Sequence, residues 1–419
     1  MTTTMKKAVI TGLGIISPLG NSTEEFWAGI KSGKSGVSAI DRFDISRFDC
    51  HFAAQVTNFD ATKWMDKKEV RRSDLVQQYS IAAAQMAVDD SKLDLNTIDK
   101  ERVGVVTGSG IGGIATFEDQ CWTFRDKGPG KVSPFFIPMM IIDMVPGLVS
   151  LRFGFKGPNY STVSACASSA HAIADALRII QRGESDVVVT GGSEASITEM
   201  SFAGFCSSRA LSTRNDDPHT ASRPFDVDRD GFVMGEGAAI IVLEEEEHAK
   251  RRGAHIYAEV VGAGMSADAH HITAPAPDGD GAARAMIAAL KDANLKPEQV
   301  DYVNTHGTST PLGDIAETMA VKRVFGEHAK KLLVNSTKSM VGHMLGGAGA
   351  IEAATTALSL EEGYVHRTMN IQNQDPQCDL DYCKEGGRNV PIRYGISNSF
   401  GFGGHNITLI LARYDNAAR

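Results

Sequence analysis

Short apolar runs rich in β-branched residues recur along the chain, most of them ending in Gly, Ser or Thr. They read KAVITGLG, RVGVVTGSG, NYSTVSACA, DVVVTGGSE, GAAIIVLEE, IYAEVVGAG, VDYVNTHGT, LLVNSTKS, IRYGISNSFG and NITLILARY. Continuous apolar runs of this length predict buried strands of a layered α/β fold. Longer stretches with helical spacing lie between them, at 167–182, 280–294 and 347–361.

The same series of runs occurs twice. KAVITGLG resembles IYAEVVGAG, RVGVVTGSG resembles VDYVNTHGT, NYSTVSACASSA resembles LLVNSTKSMVGH, and DVVVTGGSE resembles IRYGISNSFGFGG, in one order in both halves. A duplicated α/β unit is the economical account, with halves at 1–253 and 254–419. Strand ends that carry polar or reactive groups would then meet near the pseudo-symmetry axis. Residues 110–160, which include SPFFIPMMIIDMVPGLVSLRFG, form an apolar insertion. Such a segment suits packing on a partner subunit or lining an apolar tunnel.

Composition narrows the class. With 42% hydrophobic and 22% charged residues over 419 positions, the pattern is that of an ordinary globular protein larger than one small domain. Many of its 42 glycines cluster in short runs beside the apolar runs, which reads as tight turns and close backbone contacts rather than linkers. A net charge of −9 argues against general affinity for nucleic acid or anionic membranes. Cys50, Cys121, Cys166, Cys206, Cys378 and Cys383 form no CxxC pair. Neither a zinc site nor a disulfide framework is therefore expected, and a reducing cytoplasm fits. The opening MTTTMKKAVITGLGII reads as a buried first strand and not a signal peptide, because Gly12 and Gly14 break a short run. No run of about 18 apolar residues occurs, so no membrane insertion is expected.

Four motifs carry candidate chemistry. In STVSACASSAHAIADAL a strand ends near Val163 and an Ala-rich helix begins just after Cys166, with Ser164 or Ser168 as the expected cap. A thiol at a helix N-terminus feels the positive end of the dipole and free N–H groups, which favour the nucleophilic thiolate. Those N–H groups also suit an oxyanion. The alternative is a small buried cysteine filling a turn. In VDYVNTHGTSTPLGD, His306 follows a strand, and Thr308 and Thr310 place hydroxyls at alternate positions. That imidazole can donate to a carbonyl or exchange a proton, or be a plain loop histidine. In LVNSTKSMVGHMLGGAGA, Lys338 and His343 precede a helix that opens with glycines; a solvated lysine and a helix-capping histidine are the alternatives. In GISNSFGFGGHN a strand end becomes a Gly-rich loop with two phenylalanines, either a gate over an apolar pocket or a tight turn.

Three further signals are weak. GSGIGG at 108–113 nearly spells a dinucleotide fingerprint, but no strand-ending acid follows about 20 residues on. KKEVRR at 67–72 reads as a solvated basic helix face or a dock for an acidic partner. The run Glu244–Glu247 reads as a solvated strand-to-helix junction.

Together, TVSACASS, NTHGTSTPLGD, STKSMVGHMLGGAG and NSFGFGG, in that order, resemble the thiolase superfamily. Within it the chain resembles the β-ketoacyl-[acyl-carrier-protein] synthases of the Cys–His–His type, over essentially its whole length. The resemblance implies a thiolase fold, α/β with five layers α-β-α-β-α, and a homodimer. It places Cys166 as nucleophile, His306 and His343 as the paired histidines, Lys338 as their support, and Phe402 as the gating phenylalanine. The backbone N–H of Phe402 would join that of Cys166 in an oxyanion hole. The implied reaction is decarboxylative condensation of a malonyl-carrier thioester with a Cys-bound acyl group. That lengthens a fatty acyl chain by two carbons and requires no cofactor. A polyketide-type ketosynthase or a type I elongating synthase shares these motifs.

The resemblance also marks substrate and partner positions. Ile111 matches the bulky pocket residue of the type II enzymes, Phe205 would line the acyl pocket, and Thr273, Thr308 and Thr310 would face substrate. The partner implied is the acidic acyl carrier protein, docking on Lys68, Arg71, Arg72, Lys131 and Arg209; Gly130 departs from the basic residue common there. His405 stands where many type II enzymes have Thr. A structural monovalent or divalent cation would sit at Asn304, Glu317, Glu352, Ser397 and Asn398, or these form a hydrogen-bond network. His343 argues against thiolases, which use a second cysteine, and against initiating synthases, which carry Asn. Cys166 argues against the non-catalytic chain-length subunits. A nicotinamide-dependent dehydrogenase is the rival from another chemistry, resting on GSGIGG and a cysteine.

Overall fold

The computed structural model describes residues 5–415. All ten apolar runs become strands of one mixed sheet: β1 (Ala8–Ile16), β2 (Val103–Gly108), β3 (Asn159–Thr162), β4 (Val187–Glu194), β5 (Gly237–Glu245), β6 (Ala258–Ala267), β7 (Tyr302–Asn304), β8 (Leu333–Asn335), β9 (Tyr394–Gly401) and β10 (His405–Arg413). Their order across the sheet is β8-β7-β9-β10-β6-β1-β5-β4-β2-β3. The sheet has two halves of identical design. In each, the five strands lie in the order first, fifth, fourth, second, third. The directions match too: β2 runs parallel to β3 and β4, as β7 does to β8 and β9, and the remaining pairs are antiparallel. Within the sheet the halves join where Ala8–Ile10 of β1 pairs with Ala258–Val260 of β6.

The main helices are α1 (Leu75–Ser91), α2 (Ile114–Lys127), α3 (Met144–Phe153), α4 (Ser168–Gln181), α5 (Asp280–Asp292), α6 (Pro311–Phe325) and α7 (Ala348–Glu362). Helices α1 and α3 cover the outer face of the first half, and α5 with α6 covers that of the second. Helices α4 and α7 lie between the halves and touch strands of both, which completes five layers. A helix pressed from both sides must be apolar all round and small where backbones approach. Accordingly α7 is buried at every residue from Ala348 to Leu360, and α4 buries Ala170, Ala172, Ala174 and Ala176 alongside Ile173 and Leu177.

Two expectations change. The run NYSTVSACA is not a buried strand. As β3 it lies at the sheet edge with one neighbour, β2, and Asn159, Tyr160 and Val163 are exposed. The Glu244–Glu247 run is not solvated throughout. Glu244 is fully buried, accepting from Thr11 (2.8 Å) and Arg252 (2.6 and 2.7 Å). Glu245 caps the following turn by accepting the N–H groups of Glu247 and His248. Arg252, eight positions beyond Glu244, folds back to pair with it, a tertiary partner that a run of acids does not reveal.

Candidate active site

Beyond β3 the chain makes a tight elbow. Ala165 adopts φ 51°, left-handed and strained for a residue with a Cβ. The turn is closed by Ala167 N–H donating to Ser164 O (3.1 Å) and Ser168 N–H to Ala165 O (3.2 Å). Ser168 Oγ accepts Ser164 N–H at 2.9 Å and donates to Ala165 O at 2.7 Å. Ala167 holds the N-cap position of α4 without a side-chain bond, so the serines lock the elbow instead of capping the helix. Gly401 packs on the same elbow. A Cβ there would lie 2.7 Å from Ser164 O and 3.1 Å from Cys166 N, which only glycine avoids.

The second half supplies the histidines. His306 follows the end of β7, and its N–H and that of Gly307 donate to Glu317 of α6 at 2.9 and 2.8 Å. Lys338 opens a short helix, Lys338–Val341, and is buried. Its Nζ lies 3.3 Å from His306 Nδ1 and pairs with Glu352 of α7. An ammonium can only donate, so Nδ1 accepts and the His306 proton sits on Nε2. His343 is held through its backbone: its N–H donates to Val233 O (2.7 Å), and Gly235 N–H donates to its carbonyl (2.9 Å). Its Nε2 lies 3.0 Å from Cys166 Sγ. The two imidazoles meet edge to face, with centroids 5.2 Å apart. The nitrogen and sulfur atoms of Cys166, His306 and His343 lie within 4.8 Å of one another.

Burial decides the electrostatics. It pushes the Cys166 thiol up to about 12, overriding the positive Lys338 and the N–H groups of Phe402 and Cys166 itself, which pull it down. The resting group is a neutral thiol, so the thiolate expected from the helix terminus alone is corrected. Burial, the charge of Lys338 and the neighbouring His343 hold His306 well below the ordinary histidine range; burial and Lys338 do the same to His343. Both rings are neutral at physiological pH. The site at rest is a thiol beside two uncharged imidazoles, with N–H groups aimed at its sulfur.

These groups open on a cleft of about 550 Å³. Ile111, Phe205, Thr273, Thr308, Thr310 and Phe402 all line it. The hydroxyls of Thr308 and Thr310 face each other at 2.9 Å. Lys338 lies behind the wall, against His306. Of the two loop phenylalanines, Phe400 packs toward the His306 ring at 5.8 Å, while Phe402 is exposed at the mouth. Gly403 and Gly404, with φ 85° and 72°, let the loop turn there. His405 follows on the surface.

One site residue escapes the sequence reading. Glu194, at the end of β4, is fully buried and accepts the N–H groups of Gly110 (2.8 Å), Ile111 (3.2 Å) and Gly346 (2.9 Å) and the Ser109 hydroxyl (3.0 Å). The loop resembling a dinucleotide fingerprint therefore does turn its N–H groups on a carboxyl group, and that group is the chain's own Glu194. The only sequence signal was an acid closing an apolar strand.

Lys68, Arg71, Arg72, Lys131 and Arg209 are all exposed. Arg72 stacks on the Phe135 ring at 4.3 Å, which ties the basic helix to the insertion, and Arg209 lines the cleft. The five candidate cation ligands are all buried around Lys338 and α6. Asn398 donates to Glu317 (3.1 Å), and the Asn304 and Asn398 oxygens accept from Thr337 (3.3 Å) and Thr408 (2.8 Å). Ser397 Oγ and Glu352 Oε2 have no hydrogen-bond partner among the described residues. Burial raises Glu317 and Glu352 to about 7.

Comparison with known proteins agrees with this geometry. Residues 5–249 match the family model described as beta-ketoacyl synthase, N-terminal domain, and residues 257–372 match its C-terminal domain. A protein of Synechocystis sp. named 3-oxoacyl-[acyl-carrier-protein] synthase 2 is 52% identical, over 98% of both chains. The crystal structure of a beta-ketoacyl synthase from Burkholderia phymatum superposes with a TM-score of 0.92 at 38% identity, covering 98% of this chain and 100% of that one. A type II PKS ketosynthase bound to a hexaketide, solved with its acyl-carrier protein, gives 0.91 at 35% identity over 98% and 100%.

Proposed function

The chain belongs to the β-ketoacyl synthase family, and from that membership we propose that it is a 3-oxoacyl-[acyl-carrier-protein] synthase of the elongating kind. The observation that carries the reading is the Cys166–His343–His306 cluster, with sulfur 3.0 Å from one imidazole and the other held by Lys338. It condenses malonyl-carrier with a Cys-bound acyl group. The higher identity to the Synechocystis synthase than to the polyketide ketosynthase favours fatty acyl chains over polyketides.

Each residue has a task. His343 Nε2 accepts the thiol proton as Cys166 Sγ attacks the acyl thioester, and the Cys166 and Phe402 N–H groups hold the oxyanion. The carrier thiol leaves with that proton. His343 Nδ1 has no partner among the described residues, so the ring can then carry its proton on Nε2 at no cost in hydrogen bonds. His306 Nε2–H and His343 Nε2–H donate to the malonyl thioester carbonyl. Loss of CO₂ leaves an enolate that these donors stabilise as charge develops. The carbanion attacks the acyl-Cys166 carbonyl, the C–S bond breaks, and the Cys166 sulfur leaves as a thiolate that regains its proton from solvent; the β-ketoacyl product stays on the carrier, two carbons longer. Intact-protein mass spectrometry after incubation with an acyl-carrier thioester is expected to place one acyl adduct on Cys166; an unmodified protein would refute the reading.

Substrate length follows from the cleft wall. Ile111→Phe is expected to shift products toward shorter chains, changing kcat/KM for the longest primer by about 10- to 100-fold. An unchanged product distribution would remove Ile111 from the wall.

The carrier is read as the partner because the solved polyketide ketosynthase was captured with its own. Lys68, Arg71, Arg72, Lys131 and Arg209 are read as the dock; all five are exposed, and Arg209 lines the cleft. Reversing Arg209 or Lys68 to Glu is expected to raise the KM for carrier substrates about tenfold with a small change in kcat, the signature of lost steering. A KM that stays at the wild-type value at low salt would place the dock elsewhere.

The molecule is a homodimer on this reading. The free edge of β3 and the exposed Phe117, Trp122, Phe124, Ile137 and Leu151 suit a second copy. The likeness to the Synechocystis synthase is what supports reading the enzyme as cytoplasmic; no helix of the described residues is long and apolar enough to cross a membrane. The halves divide at 253/254, and no redox or metal cofactor takes part in the condensation. A structural cation fits the buried Glu317 and Glu352 and the unpartnered Ser397 Oγ and Glu352 Oε2; it would act by holding the loops of His306 and Lys338.

A further inference from the structure

Glu194 is a carboxylate surrounded by donors. Oε2 takes the N–H groups of Gly110 and Gly346, and Oε1 takes Ile111 N–H and the Ser109 hydroxyl. Among the described residues it has no ion-pair partner within 4.0 Å. Each oxygen accepts twice, which suits the charged form; a protonated acid would set one donor against another. Burial raises this acid above the ordinary carboxylate range, against the pull of the four donors.

The donors come from two places that do different things. Ser109, Gly110 and Ile111 form the turn that sets Ile111 in the cleft wall, and Ser109 Oγ also accepts Gly112 N–H at 3.2 Å. Gly346 lies three residues beyond His343, past Leu345, whose φ of 44° marks a strained loop. The two segments touch. A Cβ on Gly346 would lie 2.0 Å from Gly110 N, and one on Gly110 2.8 Å from Glu194 Oε2. Neither can move without the other while both hold the same carboxylate.

We propose that Glu194 is a positioning residue that fastens the Ile111 wall and the His343 loop into one unit, so that chain-length selection and placement of the decarboxylating histidine depend on a single carboxylate. The proposal rests on the function given above. Glu194→Gln keeps the shape but turns half of the acceptor into a donor facing donors.

The test measures wild type and E194Q with a short and a long acyl-carrier primer, with CO₂ release from malonyl-carrier, and with acylation of Cys166 by mass spectrometry. The long-to-short ratio of kcat/KM is expected to rise about tenfold and CO₂ release to fall by a similar factor, while Cys166 still becomes acylated. A lowered melting temperature with both the ratio and CO₂ release at wild-type values would overturn the proposal, since a purely structural role moves only stability. Should E194Q fail to fold, Ser109→Ala, which removes one of the four donors, decides in the same way. A smaller shift in the same two quantities supports the link, and no shift ends it. Wild type that never acylates Cys166 sinks the functional reading instead, which keeps the two failures apart.

Discussion

Cys166→Ala is expected to abolish condensation, with a loss of at least about 10⁴-fold in kcat, because the acyl group then has no covalent anchor. The fold should survive. The thiol occupies an elbow already closed by backbone bonds and by Ser168, and alanine fits that space with a φ any residue tolerates. CO₂ release from malonyl-carrier should persist in this variant, since the two histidines remain. Mass spectrometry checks for the adduct and circular dichroism for the fold; an acyl-enzyme that still forms would move the nucleophile elsewhere. The resting thiol carries a second expectation. With its pKa raised to about 12, alkylation by iodoacetamide should climb steadily as pH rises from 7 toward that value, because only the thiolate reacts. A plateau near pH 7 would mean a thiolate already formed at rest.

The histidine variants are expected to show the complementary loss. His306→Ala and His343→Ala should each reduce CO₂ release by about 10²- to 10³-fold, the usual cost of removing one donor from a developing oxyanion. His306→Ala should leave acylation of Cys166 near its normal rate, since that ring does not touch the sulfur in the hydrogen-bond network. His343→Ala should slow acylation yet reach the same adduct, because the proton acceptor at 3.0 Å is gone while the oxyanion N–H groups stay. Normal CO₂ release in either variant would refute the paired-donor role. Lys338 enters through His306: with Nδ1 held at 3.3 Å by an ammonium, the proton is kept on the side facing the cleft.

Much of this was legible in one dimension. Continuous apolar runs mark strands, and all ten predicted runs fold as strands in the sheet, although NYSTVSACA takes an exposed edge instead of a buried place. The repeat predicted by comparing the halves reappears as an identical strand order. Helices at 167–182, 280–294 and 347–361 fall within two residues of their observed bounds. The chemical residues were also visible, because glycine, serine and threonine at strand ends are where a layered fold exposes side chains to a common cleft.

The sequence by itself thus determined the elements and their duplication, which depend on local pattern. It offered Cys166, His306, Lys338 and His343 as candidates whose roles came from four motifs taken together in order, since each motif alone allowed a plainer reading. Tertiary structure alone decided their electrical state and their coupling. Cys166 and His343 are 177 positions apart, and only packing brings them to 3.0 Å. Helix-terminus reasoning favoured a thiolate; the depth of burial, which no motif records, reversed it. Glu194 looked like the last residue of a strand until the fold carried Gly110 and Gly346, 84 and 152 positions away, onto its carboxylate. Charge in a protein is set by what surrounds a group in three dimensions, and those neighbours come from distant parts of the chain.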